Sequence, residues 1–242
     1  GEWEAAVLEK GAVPLSIPIR TKNELSPKVW QTVRTVAARF AKEPHDILHA
    51  HTRVTQGASA HVARRLKIPY VTTCHGFYKR RLGRRLFPCW GEKVIAISEA
   101  VKRHLLDDFR LPEEKVCLVP NGIDVEKFRP VTKEEKNRLR RQLGLSPEGR
   151  IIGSVSRLVD VKGHHRLLHC MASLRRTSPD LTLVLVGEGP SRKSLERLSR
   201  QLGIQDHILF RGRVADPVPY LSSFDIFIHP SEWDEGFGLA PA

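Results

Sequence analysis

The stretch Ile151-Ile152-Gly153-Ser154-Val155, followed by Ser156-Arg157-Leu158-Val159-Asp160-Val161-Lys162-Gly163, decides the fold. Its first five residues are a continuous apolar run rather than an alternating one, which marks a strand buried on both faces. A polar loop then leads into a helical pattern near Gly163–Arg176. The arrangement recurs at Leu181–Gly187, again an unbroken apolar run, followed by Glu188-Gly189-Pro190 and a helix over Pro190–Leu202. Two-faced strands alternating with helices predict a parallel sheet covered on both sides.

Working outward, the same alternation fills the chain. Glu2–Lys10 reads as the end of a helix stopped by Gly11, and Val13–Ile19 as a short strand. Ser26 caps a helix that opens with Pro27 and runs to about Lys42. Asp46–Ala50, Tyr70–Thr73, Val94–Ile97 and Val116–Val119 read as strands. Gln56–Leu66 and the segment capped by Ser98, through about Leu106, read as helices. Pro120-Asn121-Gly122 reads as a turn. Beyond it, Thr132–Leu143 is a charged helix, and Ile208–Phe210, Val218–Ser222 and Ile226–Ile228 continue the pattern. The expected class is α/β, with two Rossmann-like doubly wound domains at 1–124 and 125–242 joined through the polar stretch Asp124–Glu135. The opening residues fall inside a βαβ unit, so a strand is expected upstream of Gly1.

Composition narrows the partners. Of 242 residues, 40% are hydrophobic and 28% charged, which excludes a disordered chain. The 40 Lys and Arg against 27 Asp and Glu give a net charge of +13, which favours phosphate-rich partners. Aromatic residues are only 7% and no nucleic-acid signature is present, so a basic nucleic-acid-binding module is the weaker reading. Cys74, Cys89, Cys117 and Cys170 form no C-x-x-C pair and no metal-ligand spacing, as expected of free thiols in a reducing compartment. No apolar run approaches the roughly 20 residues that span a bilayer. A cytoplasmic protein is expected, in peripheral contact with the inner face of the membrane if the basic loop described below serves that purpose.

Ligands of open α/β sheets bind at the carboxyl ends of strands. After Val155, Arg157 and Lys162 lie five residues apart before a helix start, where unpaired amides favour anions. This is either a diphosphate site or a solvated basic loop; the Walker pattern is absent. After Val186, Gly187-Glu188-Gly189-Pro190 permits either close backbone approach or an ordinary turn. After Ile228, Glu235 is followed by Gly236, Phe237, Gly238 and Leu239. A carboxylate here can accept hydrogen bonds from vicinal hydroxyls, unless the loop is simply an acidic surface. After Thr73, His75 and Gly76 sit at a strand end, and His49 and His51 flank Ala50 as expected core-and-cleft residues. Lys79, Arg80, Arg81, Arg84 and Arg85 place five cations in seven residues.

These pieces, in this order, resemble the large retaining glycosyltransferase family 4, which has the two-domain GT-B fold. The matching segments are His75-Gly76, Ile97-Ser98-Glu99-Ala100-Val101, Pro120-Asn121-Gly122-Ile123-Asp124, Arg157 with Lys162-Gly163, Gly187-Glu188-Gly189-Pro190, Phe210 with Gly212, and Pro230-Ser231 with Glu235-Gly236-Phe237-Gly238-Leu239. The resemblance implies a transferase that moves a sugar from a nucleotide diphosphate, most often uridine diphosphate, to a glycan or lipid-linked acceptor. The pathways implied are lipopolysaccharide, capsule, exopolysaccharide or glycolipid assembly. It implies that Arg157 and Lys162 hold the diphosphate, that Glu235 contacts the sugar, and that Gly163, Glu188, Gly236, Phe237, Gly238 and Leu239 help bind the donor. His75 would act from the first domain, and Lys79, Arg80, Arg81, Arg84 and Arg85 would meet an anionic acceptor or an anionic membrane surface. Two departures point to both domains being incomplete and to a fragment that is itself inactive. The family's glycine-rich loop after its first strand is missing, and the second carboxylate of its Glu-x₇-Glu pair would fall one residue past Ala242. The chain contains no Asp-x-Asp, so no metal or other cofactor is expected; Arg157 and Lys162 would take the metal's role. A GT-B-like epimerase or phosphorylase is the alternative enzyme.

Overall fold

The computed structural model describes residues 2–17, 26–43, 45–80, 87–232, 235–238 and 240. The chain divides into two compact units, Gly1–Pro120 and Asn121–Ala242.

In the first unit the order is α1 (Glu2–Glu9), α2 (Pro27–Phe40), β1 (Leu48–Ala50), α3 (Arg53–Leu66), β2 (Tyr70–Cys74), β3 (Lys93–Ala96), α4 (Glu99–Phe109) and β4 (Val116–Leu118). The four strands are parallel in the order β1-β2-β3-β4. The Ser26 hydroxyl accepts from Lys28 N, and Pro27 opens α2 with its φ already set. One stripe of α2 (Val29, Val33 and Ala37) then packs with Ala58, Val62 and Ala63 of α3 onto Leu48, Ala50 and Tyr70.

Two expectations fail here. Residues 12–17 form no strand, and the rest of the expected strand lies outside the described residues. Val13 is 82% exposed, so its burial would not stabilise a ladder, and Pro14 has no N–H to donate to one. The stretch Pro120–Gly122 forms no turn; it is irregular backbone at the division between the units.

The second unit runs α5 (Lys133–Gln142), β5 (Arg150–Val155), α6 (His164–Leu174), β6 (Leu181–Val186), α7 (Arg192–Gln201), β7 (Ile208–Gly212), α8 (Val218–Ser223) and β8 (Ile226–Phe227). Its sheet is parallel with the order β7-β6-β5-β8. The strand order therefore reverses between β5 and β8, a topological switch point. Successive β6 side chains point to opposite faces. Leu183 and Leu185 meet Leu167, Leu168 and Met171 of α6 and Leu195 of α7, whereas Val184 and Val186 meet Leu145 and Phe224. Both faces are thus covered, which accounts for the unbroken apolar runs.

Arg140 fixes β8 in place from the charged helix α5. It is 4% exposed, and its guanidinium donates to Ser223 O at 2.9 Å, Pro147 O at 3.2 Å, Gly149 O at 3.1 Å and Asp225 Oδ2 at 2.6 Å. The same carboxylate oxygen accepts from Ile151 N at 2.8 Å. One buried cation thus ties α5 and the turn before β5 to the residue preceding β8.

Candidate functional site

At the switch point two loops meet, one after β5 and one after β8. The β5 loop is tied down first. Ser156 N donates to Val186 O at 3.1 Å, Leu158 N to Glu188 O at 3.0 Å, and Ser191 N to Leu158 O at 3.0 Å. Leu158 is fully buried, so the intervening Arg157 is held by its neighbours while its own side chain is exposed. The Arg157 guanidinium has no ion-pair or hydrogen-bond partner among the described residues. Gly187, at φ +140°, permits this lacing, because a Cβ there would run into Ser156 O.

A 3-10 turn over Asp160–Lys162 follows, anchored where Ser191 Oγ donates to Asp160 Oδ1 at 2.6 Å. Gly163 then takes φ +66° and acts as the N-cap of α6 without supplying a capping side chain. A Cβ at Gly163 would strike Pro230 O, so only glycine lets the β8 loop come this close. Backbone joins the two loops, with Glu232 N donating to Val161 O at 2.9 Å.

The charged side chains then pair across the gap. Lys162 Nζ donates to Glu235 Oε1, and His229 Nε2 lies 2.6 Å from the same oxygen. Burial alone would raise the Glu235 carboxyl pKa, but hydrogen bonds from Lys162, His229 and Ser231 outweigh it and hold the group below the usual carboxylate range. Glu232 lies beside the start of α6, with Oε1 2.8 Å from Arg166 Nε and 3.4 Å from His165 Nε2. The first turn of α6 is therefore not the unopposed positive end that the sequence suggests; a carboxylate already faces it.

His164 closes the loop from within. It is 2% exposed, and its Nε2 is 3.0 Å from Ser156 Oγ. Burial first, then the charges of His229, Lys162 and His165, hold its pKa down to about 4 from 6.5. Above pH 6.5 both folded and unfolded chains carry it neutral. As pH falls from about 6.5 to about 4, the unfolded chain takes up a proton that the folded one refuses, so stability is lost across that window. His164→Gln is expected to flatten this part of the curve of urea midpoint against pH; an unchanged slope would contradict the assignment.

Of the residues singled out from the sequence, Lys162, Gly163 and Glu235 come together, with Arg157 on the same loop. Gly236, Phe237 and Gly238 follow Glu235 directly, and Leu239 lies outside the described residues. Glu188 is paired instead with Arg192 at 2.8 Å. His75, Lys79 and Arg80 belong to the first unit. There His75 Nε2 lies 3.0 Å from His51 Nδ1, and the His49 and His51 rings are tilted against each other with centroids 4.1 Å apart. All three histidines are exposed, so His49 and His51 are not core residues. Burial, followed by the neighbouring imidazole charge, lowers the pKa of His75 and of His49. Arg80 is tied to α4, donating to the Asp107 and Asp108 carbonyls and pairing with the Asp108 carboxylate at 2.8 Å. Lys79 is exposed, and Arg81, Arg84 and Arg85 lie outside the described residues. Sequence reasoning passed over His229, Glu232 and His164. Their only signal was position, immediately after a strand or beside Gly163. Among the described residues no group of three or more His, Cys, Asp or Glu is placed to hold a metal ion, and no helix is long and apolar enough to cross a membrane.

The fold and the site define a class: a two-unit α/β protein with two parallel sheets and a basic loop at the switch point of the second. Residues 3–127 match the family described as Glycosyltransferase Family 4, and residues 135–242 match Glycosyl transferases group 1; the chain belongs to this glycosyltransferase family. It is 33% identical over 207 residues to the putative glycosyltransferase EpsF of Bacillus subtilis, a match covering 79% of this chain and 53% of EpsF. It is 31% identical to the alpha-monoglucosyldiacylglycerol synthase of Streptococcus pneumoniae, covering 77% of this chain and 46% of that one. The chain spans about half the length of the curated relatives it matches. Among solved structures it shares the fold of a glycosyltransferase from Rickettsia africae, with TM-score 0.80 and 22% identity over 99% of this chain and 65% of that one. Anabaena HepE in complex with UDP-glucose superposes with TM-score 0.79 at 23% identity, covering 99% and 66%.

Proposed function

We propose that this chain comes from an enzyme that transfers a sugar from a nucleotide diphosphate, with uridine diphosphate as carrier, to a glycan or lipid-linked acceptor. The observation that carries the reading is the β5 loop. It fixes Arg157, a cation with no partner among the described residues, and Lys162 on one strand end at the switch point, opposite the carboxylate of Glu235. The complex of HepE with UDP-glucose supports a uridine nucleotide as donor.

The chemistry follows from charge. Breaking the bond between the anomeric carbon and the diphosphate leaves positive charge on the sugar and negative charge on the phosphate. Arg157 offers a planar fork of donors to the phosphate oxygens and Lys162 a compact ammonium. Carried on a loop whose backbone is held in place, both stabilise the departing diphosphate once they contact it. In this reading they replace a metal ion, Glu235 accepts from the donor sugar's hydroxyls, and the amides of Phe237 to Leu239 support it. Configuration is retained through attack on the leaving-group face, with the departing phosphate taking the acceptor's proton. The basic segment from Lys79 to Arg85 of the first unit meets an anionic acceptor or membrane surface.

Calorimetric titration with UDP tests the donor site. Saturable binding is expected in the presence of EDTA, and Arg157→Ala is expected to weaken it at least about tenfold, since charge-assisted bidentate bonds are the strong ones. Binding that appears only after a divalent cation is added would remove the metal-free reading. Equal affinity of wild type and Arg157→Ala would remove Arg157 from the site.

A further inference from the structure

We propose that Glu235 is the internal counter-ion of Lys162, competing with the donor's diphosphate for the ammonium, so that re-formation of the pair helps to expel the nucleoside diphosphate product. The inference rests on the donor-site reading above and adds a second role to the carboxylate.

Four observations carry it. First, Lys162 Nζ is bonded to Glu235. Second, the same carboxylate oxygen is held by His229 at 2.6 Å, so Glu235 is fixed whether or not Lys162 stays with it. Third, the two side chains are only 22% and 24% exposed, which leaves their attraction less screened than that of a surface pair. Fourth, the arrangement repeats: Glu232 of the same loop meets Arg166 and His165 at the start of α6. The β8 loop thus sets two carboxylates against the cationic groups that a diphosphate would seek, while Arg157 remains without a partner among the described residues. A lysine ammonium has three donors and can reach phosphate and carboxylate together, but that brings like charges close. A diphosphate must therefore either draw Lys162 from Glu235 or bind beside a repelling carboxylate. After transfer, the charge on Glu235 favours the state without nucleotide.

Glu235→Gln tests this, because the amide oxygen still accepts from His229 while the negative charge is lost. UDP, which lacks the transferred sugar, serves as the probe, so contacts between Glu235 and that sugar do not enter. The Kd for UDP is expected to fall about tenfold, or about 1.4 kcal/mol, with slower dissociation. In a Lys162→Gln background the same replacement is expected to change Kd less than twofold. An unchanged or weaker affinity of Glu235→Gln would overturn the counter-ion role. So would an equal gain in the Lys162→Gln background, which would show general charge relief rather than competition for one ammonium. If neither wild type nor Glu235→Gln binds UDP, the donor-site reading falls and this inference with it. Superimposable thermal melts exclude misfolding as the cause.

Discussion

Lys162→Ala in the full-length enzyme is expected to lower kcat at saturating donor by at least about a hundredfold. Removing one preorganised donor from a developing oxyanion costs on the order of 3–4 kcal/mol, and each 1.36 kcal/mol is tenfold in rate. Lys162 is well placed for such a role because its loop is fixed on both sides. Asp160 is anchored by Ser191, and Gly163 packs under Pro230. Adding Glu235→Gln to Lys162→Ala is expected to change UDP affinity less than twofold and not to restore turnover, because the ammonium for which Glu235 competes is gone. Lys162→Arg should not restore full rate either, because the longer planar fork cannot occupy the same point. Near-normal turnover of Lys162→Ala would take the ammonium out of the mechanism.

The second large effect concerns stability. Arg140→Ala is expected to destabilise the second unit by about 3–5 kcal/mol, as read from its urea midpoint by circular dichroism. Removing one partner of a buried pair leaves the other partner uncompensated. Here the carbonyls of Ser223, Pro147 and Gly149 would lose their donor, and Asp225 would keep only Lys136 at 3.3 Å and the Ile151 amide. Asp225 itself is pulled two ways. Burial raises its pKa, but the Ile151 amide and the Arg140 guanidinium outweigh this and hold it below the usual aspartate value. A depressed carboxyl stabilises the fold above its unfolded pKa and loses that contribution as pH falls through the folded value. Acid destabilisation from Asp225 thus sets in below the window assigned to His164. A change under about 1 kcal/mol for Arg140→Ala would show that the network is dispensable.

Local signals made the sheets legible. Ile151–Val155 and Leu181–Val186 are apolar apart from Ser154 and Thr182 because α6 and α7 cover one face while Leu145 and Phe224 cover the other. Helix ends were less legible. The helix α3 begins at Arg53, ahead of the expected Gln56, because Thr52 and Thr55 cap each other, a reciprocal box without the usual Glu or Gln. The helix α7 begins at Arg192, after the expected Pro190, because Ser191 N is committed to Leu158 O. In the site, the loops were visible from glycine and charge spacing, but the pairing was not. Lys162 and Glu235 meet only because β8 inserts beside β5, a long-range event that no local pattern encodes. Arg140 was invisible for the opposite reason. It sits in a run of charges that resembles a solvated helix face, and only the packing of α5 buries it.

The most direct test of the central claim is a crystal structure of the full-length protein with UDP. The diphosphate is predicted to lie at the end of β5, in contact with the Arg157 guanidinium and the Lys162 ammonium, with Lys162 withdrawn from Glu235. A diphosphate bound elsewhere, with Arg157 in solvent and Lys162 still on Glu235, would contradict it.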